Sequence, residues 1–401
     1  MISRDNYLDR LKAYKDNKLI KVITGLRRCG KSTLLELFKA YLLSVGVAEE
    51  SIIHINLELM RYDDIRDYKA LYSLITEQMP KNGRCYIFLD EVQQADKWEK
   101  AVNSINVEFD TDIYITGSNA FLLSSEISTL LSGRYVEIKM LPLSFKEFLS
   151  FNHLPSDWSM EDKFNQYIKF GSLPAVCSLP QDNTTVNDFL LGIYNTVIVK
   201  DVISRNKIKD VQLLEQIVRY VVSNTGNIVS AGKISGYLSS QSKGDNIKTD
   251  TVSNYLDMLE KAYIIYPVKR YDIKGKEQLK NLSKYYAVDT GIRNMLLGYS
   301  DTDLGHILET VVYLELIRRG YQVFTGKWQE AEVDFIAIKQ DERRYYQVTL
   351  SMLDSNVKQR ELAPLKAIAD NYEKTVLSLD KTFISDNEGI KFVNVIDFLL
   401  S

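Results

Sequence analysis

Residues Gly25 to Ser32 read G-L-R-R-C-G-K-S and directly follow an apolar run, Leu19 to Thr24, that suits a buried strand. A glycine-hinged loop of this kind turns its backbone N–H groups inward around phosphates, and the helix starting near Lys31 points its N-terminal dipole at the same anion. The octet is a full match to the phosphate-binding loop pattern. An α/β fold follows, with this loop on a sheet core and a nucleotide as its ligand. Lys31 is expected to reach the β- and γ-phosphates and Ser32 to hold Mg2+, with Gly25, Arg28, Cys29, Gly30 and Thr33 lining the cofactor.

A second buried-strand run, Cys85-Tyr-Ile-Phe-Leu-Asp90-Glu91, ends in two acids. Asp90 at the carboxyl end of a strand suits Mg2+ coordination through water, and Glu91 beside it suits orienting and deprotonating the attacking water. The plainer alternative is a turn with solvent-facing acids. A third strand, Asp112 to Thr116, runs into Gly117-Ser118-Asn119, where Asn119 either contacts the γ-phosphate or the water, or caps a helix.

These features resemble the AAA+ ATPase superfamily, whose pattern is loop, strand-Asp-Glu, and a strand ending in a polar sensor. The resemblance covers about residues 15 to 140 and implies hydrolysis of ATP, in place of GTP, to ADP and phosphate. It also puts Arg134, in Leu131-Ser-Gly-Arg134-Tyr, where such proteins often carry an arginine finger for a neighbour's nucleotide, which would require at least transient homo-oligomers; an exposed salt-bridging arginine is the other reading. Leu141-Pro-Leu-Ser-Phe-Lys-Glu-Phe and Phe170-Gly-Ser-Leu-Pro-Ala look like the helical lid of the archaeal-type ATPase branch, a branch that often lacks the lid arginine.

Downstream, Val211 to Ser223 carries a helical apolar stripe, and Ser230 to Leu238 and Thr249 to Lys261 read as two more helices. β-type residues and a lysine-rich turn at Lys274-Gly-Lys follow, an order that resembles a winged helix. Between Lys261 and Arg293 stand eight Lys or Arg residues against three acids, although the whole chain carries only −3. In this reading Thr251, Asn254 and Lys248 face a major groove and the hairpin lysines hold phosphates of double-stranded DNA. Winged helices also dock proteins, so a protein-coupled ATPase without nucleic acid stays open.

The last hundred residues offer an amphipathic helix with Glu309, a strand Glu332-Val-Asp334-Phe, and a strand Tyr345-Tyr-Gln347-Val-Thr349 expected to pair with it as a hairpin. Helix glutamate, strand aspartate and strand acid-x-lysine is the arrangement of restriction-type nucleases, which this tail resembles. Gln347 and Thr349 stand where the resemblance calls for a carboxylate and a lysine, so a degenerate, non-cleaving domain is expected unless Lys358 or Lys339 takes the lysine's role. The whole order resembles a widespread prokaryotic family of AAA+ ATPases with a restriction-nuclease-like C-terminal domain. It divides the chain into a P-loop AAA+ core (1–140), a helical lid (141–200), a winged-helix region (201–299) and a small α/β domain (300–401).

Three scattered cysteines without a CxxC pair argue for a reducing compartment without structural disulfide or zinc. The histidines, His54, His153 and His306, are too dispersed to suggest a ligand set. No signal peptide and no apolar run near ~20 residues is visible, so a soluble cytoplasmic protein with no membrane contact is expected.

Overall fold

The computed structural model describes residues 4–117, 131, 133–152, 154–241, 246–275, 277–329, 331–381 and 388–401. They fall into two compact units, one of Met1–Leu141 with Lys261–Tyr263 and one of Pro142–Glu260 with Ile264–Ser401. The expected boundaries near 200 and 299 fall inside the second unit.

In the first unit β1 (Ile20–Thr24), β2 (Ile52–Asn56), β3 (Cys85–Asp90), β4 (Thr111–Thr116) and β5 (Tyr135–Lys139) form one parallel sheet in the order β2-β3-β4-β1-β5. Strands β1, β3 and β4 are buried along their whole length, which is why they read as mostly apolar runs, interrupted by Lys21 and Asp112, and not as alternating ones. On one face Ile55, Ile87 and Ile113 pack under Leu71 and Ile75 of the Tyr68–Gln78 helix and Val102 and Ile105 of the Trp98–Glu108 helix. Phe38, from the Lys31–Ser44 helix, packs against Phe88 and Tyr114 with ring centroids 6.2 and 4.8 Å away. The one buried ion pair of this sheet's described residues links Lys21 on β1 to Asp112 on β4, and Asp112 also accepts from the Tyr114 hydroxyl at 3.0 Å and the Asp16 N–H at 2.7 Å. With every strand parallel, the carboxyl ends of β1 to β4 lie along one edge of the sheet.

The second unit begins with helices Phe145–Phe151 and Met160–Phe170, each opened by a reciprocal cap, Ser144 with Glu147 and Ser159 with Asp162. The Asn183–Thr196 helix runs into a π-helical stretch, Val197–Ser204. Three helices, Val211–Ser223, Ala231–Gln241 and Thr249–Lys261, accompany β6 (Ile228–Val229), β7 (Ile265–Asp272) and β8 (Glu277–Ala287). The chain closes with helices Thr290–Leu297 and Leu304–Arg318, strands β9 (Gln322–Trp328), β10 (Ala331–Lys339) and β11 (Glu342–Val348), the Ser355–Ala367 helix, β12 (Glu373–Ser378), β13 (Ile390–Asn394) and the Val395–Leu400 helix.

One eight-stranded sheet, β13-β12-β11-β10-β9-β7-β8-β6, runs through this unit. Its β7–β9 pairing joins the β7–β8 hairpin to the last strands, and Ile273 in the hairpin turn is buried among Phe324, Val333 and Ile336. A second joint is built on glycines. A Cβ on Gly291 would stand 2.2 Å from the Phe170 carbonyl oxygen, and one on Gly171 2.2 Å from Asp289 Oδ1. The Asp289 carboxylate accepts from the Ser172 N–H at 2.7 Å and the Ile292 N–H at 3.0 Å, while Asn294 donates to the carbonyls of Ile168 and Lys169. No helix among the described residues is long and apolar enough to cross a membrane.

Candidate functional site

The loop between β1 and the Lys31–Ser44 helix is shaped by backbone that only small or permissive residues adopt. Gly25 has φ +142° and a Cβ there would lie 2.2 Å from the Met140 carbonyl oxygen; Gly30, with φ +100°, caps the helix. The Lys31 ammonium, 5% exposed, donates to the carbonyls of Gly25 and Leu26, each at 3.1 Å, so the loop wraps its own lysine. Arg28, Ser32 and Thr33 are exposed, whereas the Cys29 side chain is fully buried and offers a ligand only its backbone. Arg4 braces the loop from outside the motif, its guanidinium donating to the carbonyls of Cys29 at 3.0 Å and Leu141 at 2.9 Å. Tyr7, under that guanidinium, accepts from the Leu141 N–H.

The two acids sit at the same edge of the sheet. Asp90 is 1% exposed, and its two oxygens accept from neutral donors, the Thr116 hydroxyl at the end of β4 and the Asn56 amide at the end of β2 (3.2 Å). Glu91 has φ +52°; its N–H donates to the Thr116 hydroxyl oxygen at 3.1 Å, and its carboxylate accepts from the Gln93 amide. The Gln93 side-chain amide oxygen is buried and has no hydrogen-bond partner among the described residues. The donor set suits Mg2+, a hard cation that takes oxygen ligands: an exposed hydroxyl at Ser32 and a carboxylate at Asp90 whose hydrogen-bond donors are uncharged. Thr116, Asn56, Gln93 and Arg4 were not singled out in the sequence. Only Gln93 carried a local signal, two positions beyond Glu91.

Arg134 is exposed at the start of β5, where its carbonyl accepts from the Ile20 N–H at 2.9 Å. That is the amino end of β1, one strand length, roughly 16 Å, from the phosphate loop of its own chain. There it lines a cavity of about 600 Å³ with Lys18, Asn106 and the exposed Val107. Asn119 lies outside the described residues, as does Lys276.

A second polar cluster lies in the other unit. Lys284 on β8, 3% exposed, places its ammonium 2.8 Å from Glu332, 3.4 Å from Glu309 and 3.5 Å from Asp334. The Tyr286 hydroxyl donates to Glu309 at 3.0 Å, and the Val348 N–H to Asp334 at 2.9 Å. Gln347 receives the Asp334 N–H on its carbonyl oxygen and donates to Glu361 at 2.7 Å. Burial first, and then the Glu309 charge, push the Asp334 carboxyl up to about 7; burial also raises Glu309. An open cavity of about 500 Å³ adjoins, lined by Glu309, Asp334, Gln347, Thr349 and Glu361. Neither lysine proposed for this place is there: Lys339 donates to the Arg319 carbonyl, and Lys358 lies over the Phe392 ring. The lysine that arrives comes from the hairpin and belongs to the basic patch counted between Lys261 and Arg293. Arg293 of the same patch is also internal, paired with Asp303 at 2.8 Å. Among the described residues, no three His, Cys, Asp or Glu side chains are arranged to hold a metal ion.

Residues 17–149 match a family model described as an AAA domain, and residues 161–303 match a domain of unknown function. An uncharacterized protein of Haemophilus influenzae is 41% identical over 402 residues, covering 100% of this chain and 99% of that one. Another, from Methanocaldococcus jannaschii, is 31% identical over 94% of this chain and 85% of its own. Among solved structures, the Walker-type ATPase of Pyrococcus abyssi aligns over 74% of this chain and 96% of its own at 17% identity, with a TM-score of 0.48. By full-length identity and the AAA match at its phosphate loop, the chain belongs to the family of AAA-domain proteins that includes these bacterial and archaeal relatives.

Proposed function

We propose that the chain is an ATPase that hydrolyses ATP to ADP and phosphate and uses its nucleotide state to switch the hold of its second unit on a partner. The observation that carries this reading is the clamp of Asp90 and Glu91 by Thr116 at the sheet edge where the phosphate loop begins. On binding ATP, Lys31 exchanges the carbonyls of Gly25 and Leu26 for phosphate oxygens, while the loop and helix N–H groups hold the rest of the anion. Ser32 and Asp90 would hold Mg2+, which neutralises phosphate charge when bound. Glu91 takes the proton of the attacking water, Asn119 senses the γ-phosphate, and Arg134 serves the nucleotide of a second copy.

For the partner we propose duplex DNA, held by the three helices and β7–β8 hairpin as a winged helix, with Lys248, Thr251 and Asn254 toward the bases and Lys269 and Lys274 toward phosphates. A protein partner is the second reading. It is favoured by the exposed face of the Thr249–Lys261 helix, which presents Asp250, Asp257 and Glu260, and by the loss of Lys284 and Arg293 to the interior. Steady-state ATP hydrolysis with and without duplex DNA at two salt concentrations tests both. Glu91→Gln is expected to lower kcat by about 10²- to 10⁴-fold, and Lys31→Ala to abolish turnover. Stimulation by DNA that fades with salt supports the first partner; turnover indifferent to DNA supports the second, and no Glu91-dependent turnover sinks the ATPase reading.

A further inference from the structure

The tail's resemblance to restriction-type nucleases calls for a divalent metal between a helix glutamate and a strand aspartate. Glu309 and Asp334 do converge, from the Leu304–Arg318 helix and β10. Between them, however, stands the ammonium of Lys284, with Glu332 as its third carboxylate partner. An ammonium has three N–H donors and no acceptor, and here three carboxylates face it. A divalent cation needs oxygen ligands at about 2.0–2.6 Å, and a centre shared by these three carboxylates is filled by nitrogen at 2.8 to 3.5 Å. The outer groups are arranged for the same end. Tyr286 donates to the Glu309 oxygen that faces Lys284, and Val348 holds the other Asp334 oxygen. Gln347, an amide where a ligand carboxylate is called for, is spent on the Asp334 backbone and on Glu361. Gly226 packs against a second side, where a Cβ would come within 2.9 Å of Glu309 Oε2, while the cavity of about 500 Å³ leaves Glu309 and Asp334 reachable from outside.

We propose that Lys284 is a built-in cation: its ammonium takes the place of a metal among Glu309, Asp334 and Glu332, closes this site to divalent ions, and fastens β8 to the Leu304–Arg318 helix and β10. The cluster is then a structural clasp and not a cleavage centre. Losing one partner of a buried ion group leaves the others uncompensated, so removing Lys284 should expose three carboxylates that a metal can satisfy.

The test is Mn2+ binding to the nucleotide-free, full-length chain, read by electron paramagnetic resonance. The wild type is expected to show no binding that depends on Asp334. Lys284→Ala is expected to gain one Mn2+ site that the wild type lacks, lost again in Lys284→Ala/Asp334→Asn. Mn2+ binding by the wild type that Asp334→Asn removes would overturn the proposal, as would a folded Lys284→Ala chain with no gain. Should Lys284→Ala not fold, thermal unfolding of the wild type decides. An unfolding temperature that Mn2+ leaves unchanged supports the clasp; one that Mn2+ raises in the wild type and not in Asp334→Asn overturns it. Neither readout depends on ATP turnover.

Discussion

Thr116 has a fully buried side chain and a hydroxyl that both gives and takes, donating to Asp90 and accepting from the Glu91 N–H. Valine fills the same space and can do neither. Thr116→Val should therefore cost about 1–3 kcal/mol of stability, because a buried N–H and a carboxylate oxygen lose their partner. In the ATPase reading kcat should fall while the KM for ATP changes little, since Lys31 and the loop are untouched. Urea unfolding and steady-state kinetics on one protein preparation measure both, and wild-type kcat in a destabilised Thr116→Val would show that Thr116 serves the fold alone. The acids themselves were legible because they adjoin one another after an apolar run. Thr116 was not, because it lies 26 residues from Asp90 and meets it only through strand pairing.

Elements show the same division. Helices Val211–Ser223 and Thr249–Lys261 begin and end where the sequence places them, and β10 pairs antiparallel with β11 in the hairpin expected of the tail's two strands. What no pattern announced is how closely two turns approach. Phe170-Gly171-Ser172 and Asp289-Thr290-Gly291 meet backbone to backbone, so a methyl group has no room at either glycine. Gly291→Ala is expected to destabilise the protein by roughly 1–3 kcal/mol as the joint is forced apart. Gly236→Ala, in the Ala231–Gln241 helix with nothing within 4 Å of its Cβ, should instead stabilise by about 0.5–1 kcal/mol. Calorimetric unfolding temperatures should move in opposite directions; a shared direction would contradict the close-packing account. Local pattern changes near 200 and 299, and across those positions the pairing of β7 with β9 and the glycine joint tie together segments of the second unit.

At the scale of the whole molecule, stability should carry the mark of the Lys284 cluster. One ammonium faces Glu309, Glu332 and Asp334, with Glu361 and His306 nearby, and burial first, then the Glu309 charge, raises the Asp334 carboxyl to about 7 from 3.8. The folded chain thus keeps a proton that the unfolded chain releases near pH 4. The stability that this group contributes is complete below pH 4, declines as pH rises toward 7, and changes no further above it. Urea midpoints from pH 4 to 8 should show a decline that Asp334→Asn flattens; equal slopes in both proteins would refute it. The sequence by itself determined the phosphate-loop and acid-pair motifs and several helices, because each is a spacing of neighbours within a few residues. Tertiary structure alone decided that Arg4 braces the loop, that Thr116 clamps the acids, and that Lys284 stands among carboxylates up to 50 residues away. Those contacts depend on strand register and on which face of a strand turns inward, and a lysine in a basic stretch looks the same whether it faces water or a buried carboxylate.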